Sequence, residues 1–264
     1  MDLQVRDRAY LVVGGTTGMG FAAARQLAED GARVAVVGRD PARADAAVAA
    51  LSEAGAAEAV AIPADVSAPG AAVAAVEDAA ARFGRLDGIA VTTGLTGHEP
   101  PDAMTDERWV EVFQDLLLGV VRSVQAALPH LRSGGGTVVT TAAYSVRAPE
   151  LQRLPYASLK SAVATFTKGI ARSYGRHGVR ANCVCPGAIE TDSLAALRRH
   201  LAAERGVPPD GVLERVMVEE WHLDVALGRP GKPSEVGELI AFLLSPRAGY
   251  LTGALINIDG GTNF

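Results

Sequence analysis

The sequence predicts an α/β protein: a doubly wound parallel sheet of about seven strands, with helices on both faces, in a single domain. Three observations carry this. Short β-branched runs alternate with longer amphipathic segments from end to end, which argues for parallel strands joined by right-handed helical crossovers. A dense glycine turn separates the first strand from the first helix. No linker and no internal repeat interrupts the alternation, so residues 1–264 are expected to fold as one domain.

The elements follow in order. Tyr10 to Val13 is the first strand, and it runs into the glycines of Gly14 to Gly20. A helix from Phe21 to Asp30 stops at Gly31, and Arg33 to Val37 is the second strand. Asp40-Pro41 opens an alanine-rich helix, with an N-cap aspartate and proline in the first turn. Ala59 to Ile62 is the third strand and Ser67 to Phe83 the third helix, with Ser67 at its cap. Gly88 to Val91 is the fourth strand, and one long helix is expected from Asp106 to Leu131. Thr137 to Thr141, a helix from Pro155 to Tyr174, and Val179 to Val184 come next. Glu190 to Asp224 is polar, mostly helical and least regular, and reads as a substrate lid. Pro233 to Leu244 is a helix and Leu255 to Ile258 the last strand. In such sheets ligands bind outside the carboxyl ends of the strands, near the reversal in strand order.

Composition excludes several classes. With 48% hydrophobic residues in 264, the chain can bury a sizeable core. A net charge of −5 and the absence of a basic cluster argue against nucleic acid as a partner. No apolar run approaches the roughly 20 residues of a membrane span, and Met1 to Arg8 has no signal-peptide core, so a cytoplasmic protein is expected. Cys183 and Cys185 are too few for a disulfide framework, and no histidine or cysteine pair completes a metal site; His98, His130, His177, His200 and His222 are scattered. Arg198-Arg199-His200 reads as a solvated helix face.

The chemistry lies in four motifs. Gly14, Gly18 and Gly20 sit at a strand–helix turn, where glycine lets backbone N–H groups approach a pyrophosphate at the helix N-terminus. Tyr156 and Lys160 stand four apart on one helix face. Asn182-Cys183-Val184-Cys185-Pro186-Gly187 and Asp259-Gly260-Gly261 complete the set. In this order and spacing they resemble the short-chain dehydrogenase/reductase family, and in particular its 3-oxoacyl-(acyl carrier protein) reductases, over essentially the whole chain. The resemblance implies a Rossmann-like fold and hydride transfer between a nicotinamide cofactor and a carbonyl or secondary alcohol.

Carried over residue by residue, the resemblance makes Tyr156 the general acid/base and Lys160 its partner and a ribose ligand. It gives the cofactor Gly14, Thr16, Thr17, Gly18, Met19 and Gly20 at the turn, Asp65-Val66 at the adenine, and Thr93-Gly94 after the fourth strand. Pro186, Gly187, Ile189 and Thr191 are expected to close over the nicotinamide. Gly38 stands where an acidic residue would hold the ribose of NAD, and Arg39 follows. Either Arg39 pairs with a 2′-phosphate or it is a solvated arginine; NADP(H) is favoured, with NAD(H) as the alternative.

Two positions depart from the family. Its serine, 13 residues before the tyrosine, is Ala143 here, and Ser145 is the nearest substitute unless it is a surface loop serine. Its asparagine is Leu116, which cannot hydrogen-bond. A small hydrophobic carbonyl or alcohol is the expected substrate, with Leu194, Leu197, Leu201, Val212, Leu213, Val216, Met217, Trp221 and Leu223 as lid wall. The resemblance also implies a homotetramer or homodimer through the helices Asp106–Leu131 and Pro155–Tyr174, with Thr252 to Phe264 at a second interface. The alternative reading is a nucleotide-binding protein of this fold with little or no catalysis.

Overall fold

In the computed structural model, which describes residues 2–94, 102, 104–149, 153–221 and 223–262, seven strands appear in the expected places. They are β1 (Ala9–Val13), β2 (Arg33–Gly38), β3 (Glu58–Pro63), β4 (Gly88–Val91), β5 (Gly136–Thr141), β6 (Val179–Pro186) and β7 (Leu255–Ile258). They form one sheet in the order β3-β2-β1-β4-β5-β6-β7, every neighbouring pair parallel. The chain reverses direction across the sheet between β1 and β4, where Val13 pairs with Val37 on one side and Val91 on the other. The carboxyl ends at that reversal are the expected ligand position. His98, His222, Asn263 and Phe264 lie outside the described residues.

The helices cover both faces. They are α1 (Gly18–Glu29), α2 (Pro41–Ala54), α3 (Ala71–Phe83), α4 (Asp106–Phe113), α5 (Gly119–Arg132), α6 (Leu154–Tyr174), α7 (Asp192–Arg205), α8 (Val212–Glu219) and α9 (Pro233–Leu244). Strand alternation sends Leu11, Val13, Ala35 and Val37 into a core with α3, α5 and α6. The intervening Tyr10, Val12, Val34 and Val36 enter a second core with α1, α2 and α9. Strands buried on both faces read as near-continuous apolar runs, which is why they were legible.

Three boundaries correct the sequence expectations. Helix α1 begins at Gly18 rather than Phe21, because Thr17 is extended (φ −152°, ψ 170°) and passes directly into the helix. Helix α3 begins at Ala71 after Gly70, so Ser67 is not its cap; Ser67 donates from both N and Oγ to the Asp65 carboxylate, at 3.0 and 2.7 Å, and closes a separate turn. The long helix is not uniform: a π turn at Gln114–Leu118 joins α4 to α5, closed by Gly119 N donating to the Gln114 carbonyl.

Candidate active site

The cofactor end starts from the close approach of β1, α1 and β4. Gly14 has φ +80°, a left-handed conformation that favours glycine. A Cβ on Gly20 would run into the Gly14 carbonyl and Thr92 Oγ1. Thr92, at the end of β4, donates from Oγ1 to the Val13 carbonyl at 3.0 Å and ties the two strand ends together. Sequence reasoning did not single out Thr92. Thr17, the N-cap of α1, makes no side-chain cap bond, and the first turn has no acidic residue. Its free N–H groups and positive dipole end therefore face the strand ends. A cradle this tight fits a pyrophosphate, whose oxygens accept from main-chain N–H groups. Met19 is half-buried and packs against the α1–α9 core.

The adenosine end is set by β2. A Cβ on Gly38 would stand 2.6 Å from both Oγ1 and Cγ2 of Thr16. Thr16 thus fills the space an acidic side chain would need. Arg39 is exposed, and its charge acts on Asp65. The bonds from Ser67 chiefly hold the Asp65 carboxyl below its usual value, aided by Arg39. Val66 is buried in the core, with its side chain and its carbonyl both against Gly119.

The chemical end is built by α6. Tyr156 is half-buried, whereas Lys160, one turn on, is 2% exposed. Lys160 Nζ lies 5.7 Å from the Tyr156 ring centroid. It donates to the main-chain carbonyls of Thr93 at 3.2 Å and Thr141 at 3.1 Å. Gly94 makes room for it: at φ +137°, a Cβ there would sit 2.6 Å from Nζ and 3.1 Å from Leu116 Cδ2. Leu116, in the π turn, is buried and presents only methyl groups to this corner. Burial pushes the Lys160 ammonium down from 10.5 to about 8.

Ser145 is not a surface residue. It lies in the 3-10 turn Tyr144–Val146, is 3% exposed, and its Oγ has no hydrogen-bond partner among the described residues. A buried hydroxyl without a partner costs about 1–3 kcal/mol. Ala143, just before, is also buried. Cys183 and Cys185 are fully buried on the same face of β6 against Ala142. The hydrogen-bonded Cys183 thiol, and then burial, push the Cys185 thiol up, keeping it protonated. Among the described residues no group of three His, Cys, Asp or Glu side chains is placed to hold a metal.

The segment after β6 crosses back over the glycine turn. A Cβ on Gly187 would meet Asp259 Cα at 2.8 Å, so the Pro186-Gly187 and Asp259-Gly260-Gly261 motifs are two sides of one contact. Ile189 pairs with Gly231, and Thr191 caps α7 with its methyl 3.4 Å from where a Gly18 Cβ would stand. The structure therefore brings Gly14–Gly20, Thr93, Gly94, Lys160 and Thr191 to one end of the sheet. In the segment expected to be a lid, Val212, Leu213, Val216 and Met217 of α8 are fully buried, and Leu213, Met217 and Leu223 cluster with Tyr144. They fasten this segment to the turn after β5; of the other expected wall residues Leu194, Leu197, Leu201 and Trp221 are half-buried, and Leu194, Leu201 and Trp221 pack against that cluster. Arg198 also departs from expectation, being 14% exposed and ion-paired on both sides.

A parallel seven-stranded sheet with a glycine turn at its reversal point, and helices on both faces, defines a doubly wound, Rossmann-like α/β protein. The comparisons with known proteins resolve the class further. A family model described as Enoyl-(Acyl carrier protein) reductase matches residues 13–263. The short-chain reductase protein NovJ of Streptomyces niveus is 33% identical over 257 residues, 97% of this chain and 94% of that protein. The 3-oxoacyl-[acyl-carrier-protein] reductase FabG of Chlamydia muridarum is 28% identical, covering 97% of each chain. The crystal structure of L-sorbose reductase from Gluconobacter frateurii, complexed with NADPH and L-sorbose, superposes with a TM-score of 0.93 at 27% identity, covering 99% of this chain and 98% of that one. The chain belongs to the short-chain dehydrogenase/reductase family and is an oxidoreductase.

Proposed function

We propose that the protein catalyses NADP(H)-linked interconversion of a small hydrophobic ketone and its secondary alcohol, mainly in the direction of reduction. The observation that carries this reading is the buried Lys160 ammonium, 5.7 Å from the Tyr156 ring and anchored on the strand ends that meet the glycine turn. The nicotinamide, when bound, supplies or accepts the hydride. The chain's own residues bind, orient and handle the proton. Main-chain N–H groups at Thr17 to Gly20, with Gly14 and the Thr17 hydroxyl, hold the pyrophosphate. Asp65 and the Val66 main chain hold the adenine, and Thr93, Gly94, Pro186, Gly187, Ile189 and Thr191 enclose the nicotinamide half.

Tyr156 donates its phenolic proton to the carbonyl oxygen in reduction and takes it back in oxidation. An ordinary tyrosine titrates near 10, and a neighbouring ammonium favours the phenolate. Two of the three Lys160 donors are committed to carbonyls, and the third serves the nicotinamide ribose. Ser145 donates to the substrate oxygen in place of the family's serine. The ammonium must be charged to act on Tyr156. For the free enzyme, kcat/KM for alcohol oxidation is therefore expected to rise with pH and to fall again above about 8, where Lys160 loses its proton. A pH profile that climbs unbroken to 10 would contradict this role.

NADP(H) rather than NAD(H) is supported by Thr16 standing against Gly38 and by Arg39 beside it. The sorbose reductase relative was solved with NADPH. Arg39→Ala is expected to raise the Kd for NADPH by about 10-fold or more and to leave NADH within about 2-fold. Equal effects on both nucleotides in a fluorescence titration would assign Arg39 to the solvated surface instead.

The half-buried apolar lid edge supports a hydrophobic substrate over a sugar. The protein is read as cytoplasmic, and no described helix is long and apolar enough to cross a membrane. Exposed Val110 and Phe113 on α4, with Leu154 at the start of α6, support a homodimer or homotetramer through these helices. Residues 1–264 act as one catalytic domain, with 190–224 as its lid.

A further inference from the structure

Arg198 has more partners than a surface arginine needs. From α7 its Nε donates to Glu190 Oε1 at 2.8 Å. Its Nη1 and Nη2 grip both carboxylate oxygens of Glu214 on α8, each at 2.8 Å. Nη1 also reaches the Pro209 carbonyl in the α7–α8 turn, at 3.5 Å. The paired fork and carboxylate are the stronger class of ion pair, and the side chain is largely shielded from water. Glu214 is correspondingly held below its usual pKa by the guanidinium.

Glu190 stands between Ile189 and Thr191, the residues read above as facing the nicotinamide. Glu190 to Asp192 border a cavity of about 360 Å³ against α1 and the start of α9. Ile189 is also anchored independently of Arg198: it is buried in the α1–α9 core and bridged to Gly231, with Glu190 N donating to the Gly231 carbonyl at 2.8 Å and Gly231 N to the Ala188 carbonyl at 2.9 Å.

We propose that Arg198 is a positioning residue: its guanidinium couples the segment bearing Ile189 and Thr191 to the lid helices, so that docking of the lid and closure over the cofactor are one event. The cofactor part of this statement rests on the function proposed above; the coupling does not. It predicts that loosening either arm releases the 189–195 segment.

The test is hydrogen–deuterium exchange on the full chain, first without nucleotide. Arg198→Met is expected to speed exchange in 189–195 and in 209–216 together, by about 10-fold. Glu190→Gln, which leaves the α7–α8 pair intact, should loosen 189–195 alone and guards against a general loss of fold. Arg205→Met removes a different ion pair of α7, to Glu220 at 2.7 Å, and should leave both segments unchanged. With NADPH added, Arg198→Met should weaken binding by about 10-fold, and Arg198→Lys should recover part of that loss. The proposal is overturned if 189–195 exchanges as in wild type in both Arg198→Met and Glu190→Gln, or if Arg205→Met loosens it equally. Failure of the wild-type chain to bind either nucleotide would sink the cofactor reading, while the exchange arms would still decide the coupling.

Discussion

Tyr156→Phe is expected to lower kcat by about 10³-fold or more, with NADPH affinity within about 3-fold of wild type. The substitution removes one oxygen and keeps the ring. Lys160 retains its carbonyl partners on Thr93 and Thr141, so the ammonium stays where it is. What disappears is the group that exchanges a proton with the substrate oxygen. Turnover is followed at 340 nm against a panel of alicyclic and acyl ketones. A variant that keeps a tenth of wild-type kcat would assign the proton to another group. A wild type that binds NADPH but turns over nothing in the panel would favour the nucleotide-binding alternative over catalysis.

Ser145→Ala is expected to cost about 10² to 10³ in kcat/KM, the range for removing one hydrogen-bond donor from a developing oxyanion. Stability should move the other way. The Ser145 hydroxyl is buried without a partner among the described residues, so its loss should hold or raise Tm. A structural serine would behave oppositely, with Tm falling and kcat/KM unchanged. The pairing of lower activity with undiminished stability is therefore the diagnostic result, read from thermal melts and steady-state kinetics on the same preparations.

Much of the architecture was legible because the strands are buried on both faces. Runs such as Tyr10 to Val13 and Arg33 to Val37 have no polar alternation to confuse with a helix. Boundaries were less so. Ser67 is a good N-cap type, but the nearer Asp65 carboxylate takes its N–H and hydroxyl, and the helix waits for Gly70. The π turn at Gln114–Leu118 has no signature in residue type, since leucines suit an α-helix equally well.

The site divided the same way. The glycine turn, Tyr156, Lys160 and Thr191 were marked by motifs and the fold brings them to one end of the sheet. Thr92 was not, because its bonds to β1 are made across 79 residues of chain. Arg198 was misread for a similar reason: its carboxylate partners lie 8 residues before and 16 after it, and only the return of α8 along α7 brings them together. The sequence leaves Ser145 open between pocket and surface, and its burial excludes the surface.

The central claim is that the end of the sheet at Gly14–Gly20 holds a nicotinamide dinucleotide beside Tyr156 and Lys160. Calorimetric titration of the purified protein with NADPH and NADH tests it without needing the substrate. The account predicts one NADPH per chain, bound at least about 10-fold more tightly than NADH. Binding of neither nucleotide would contradict it.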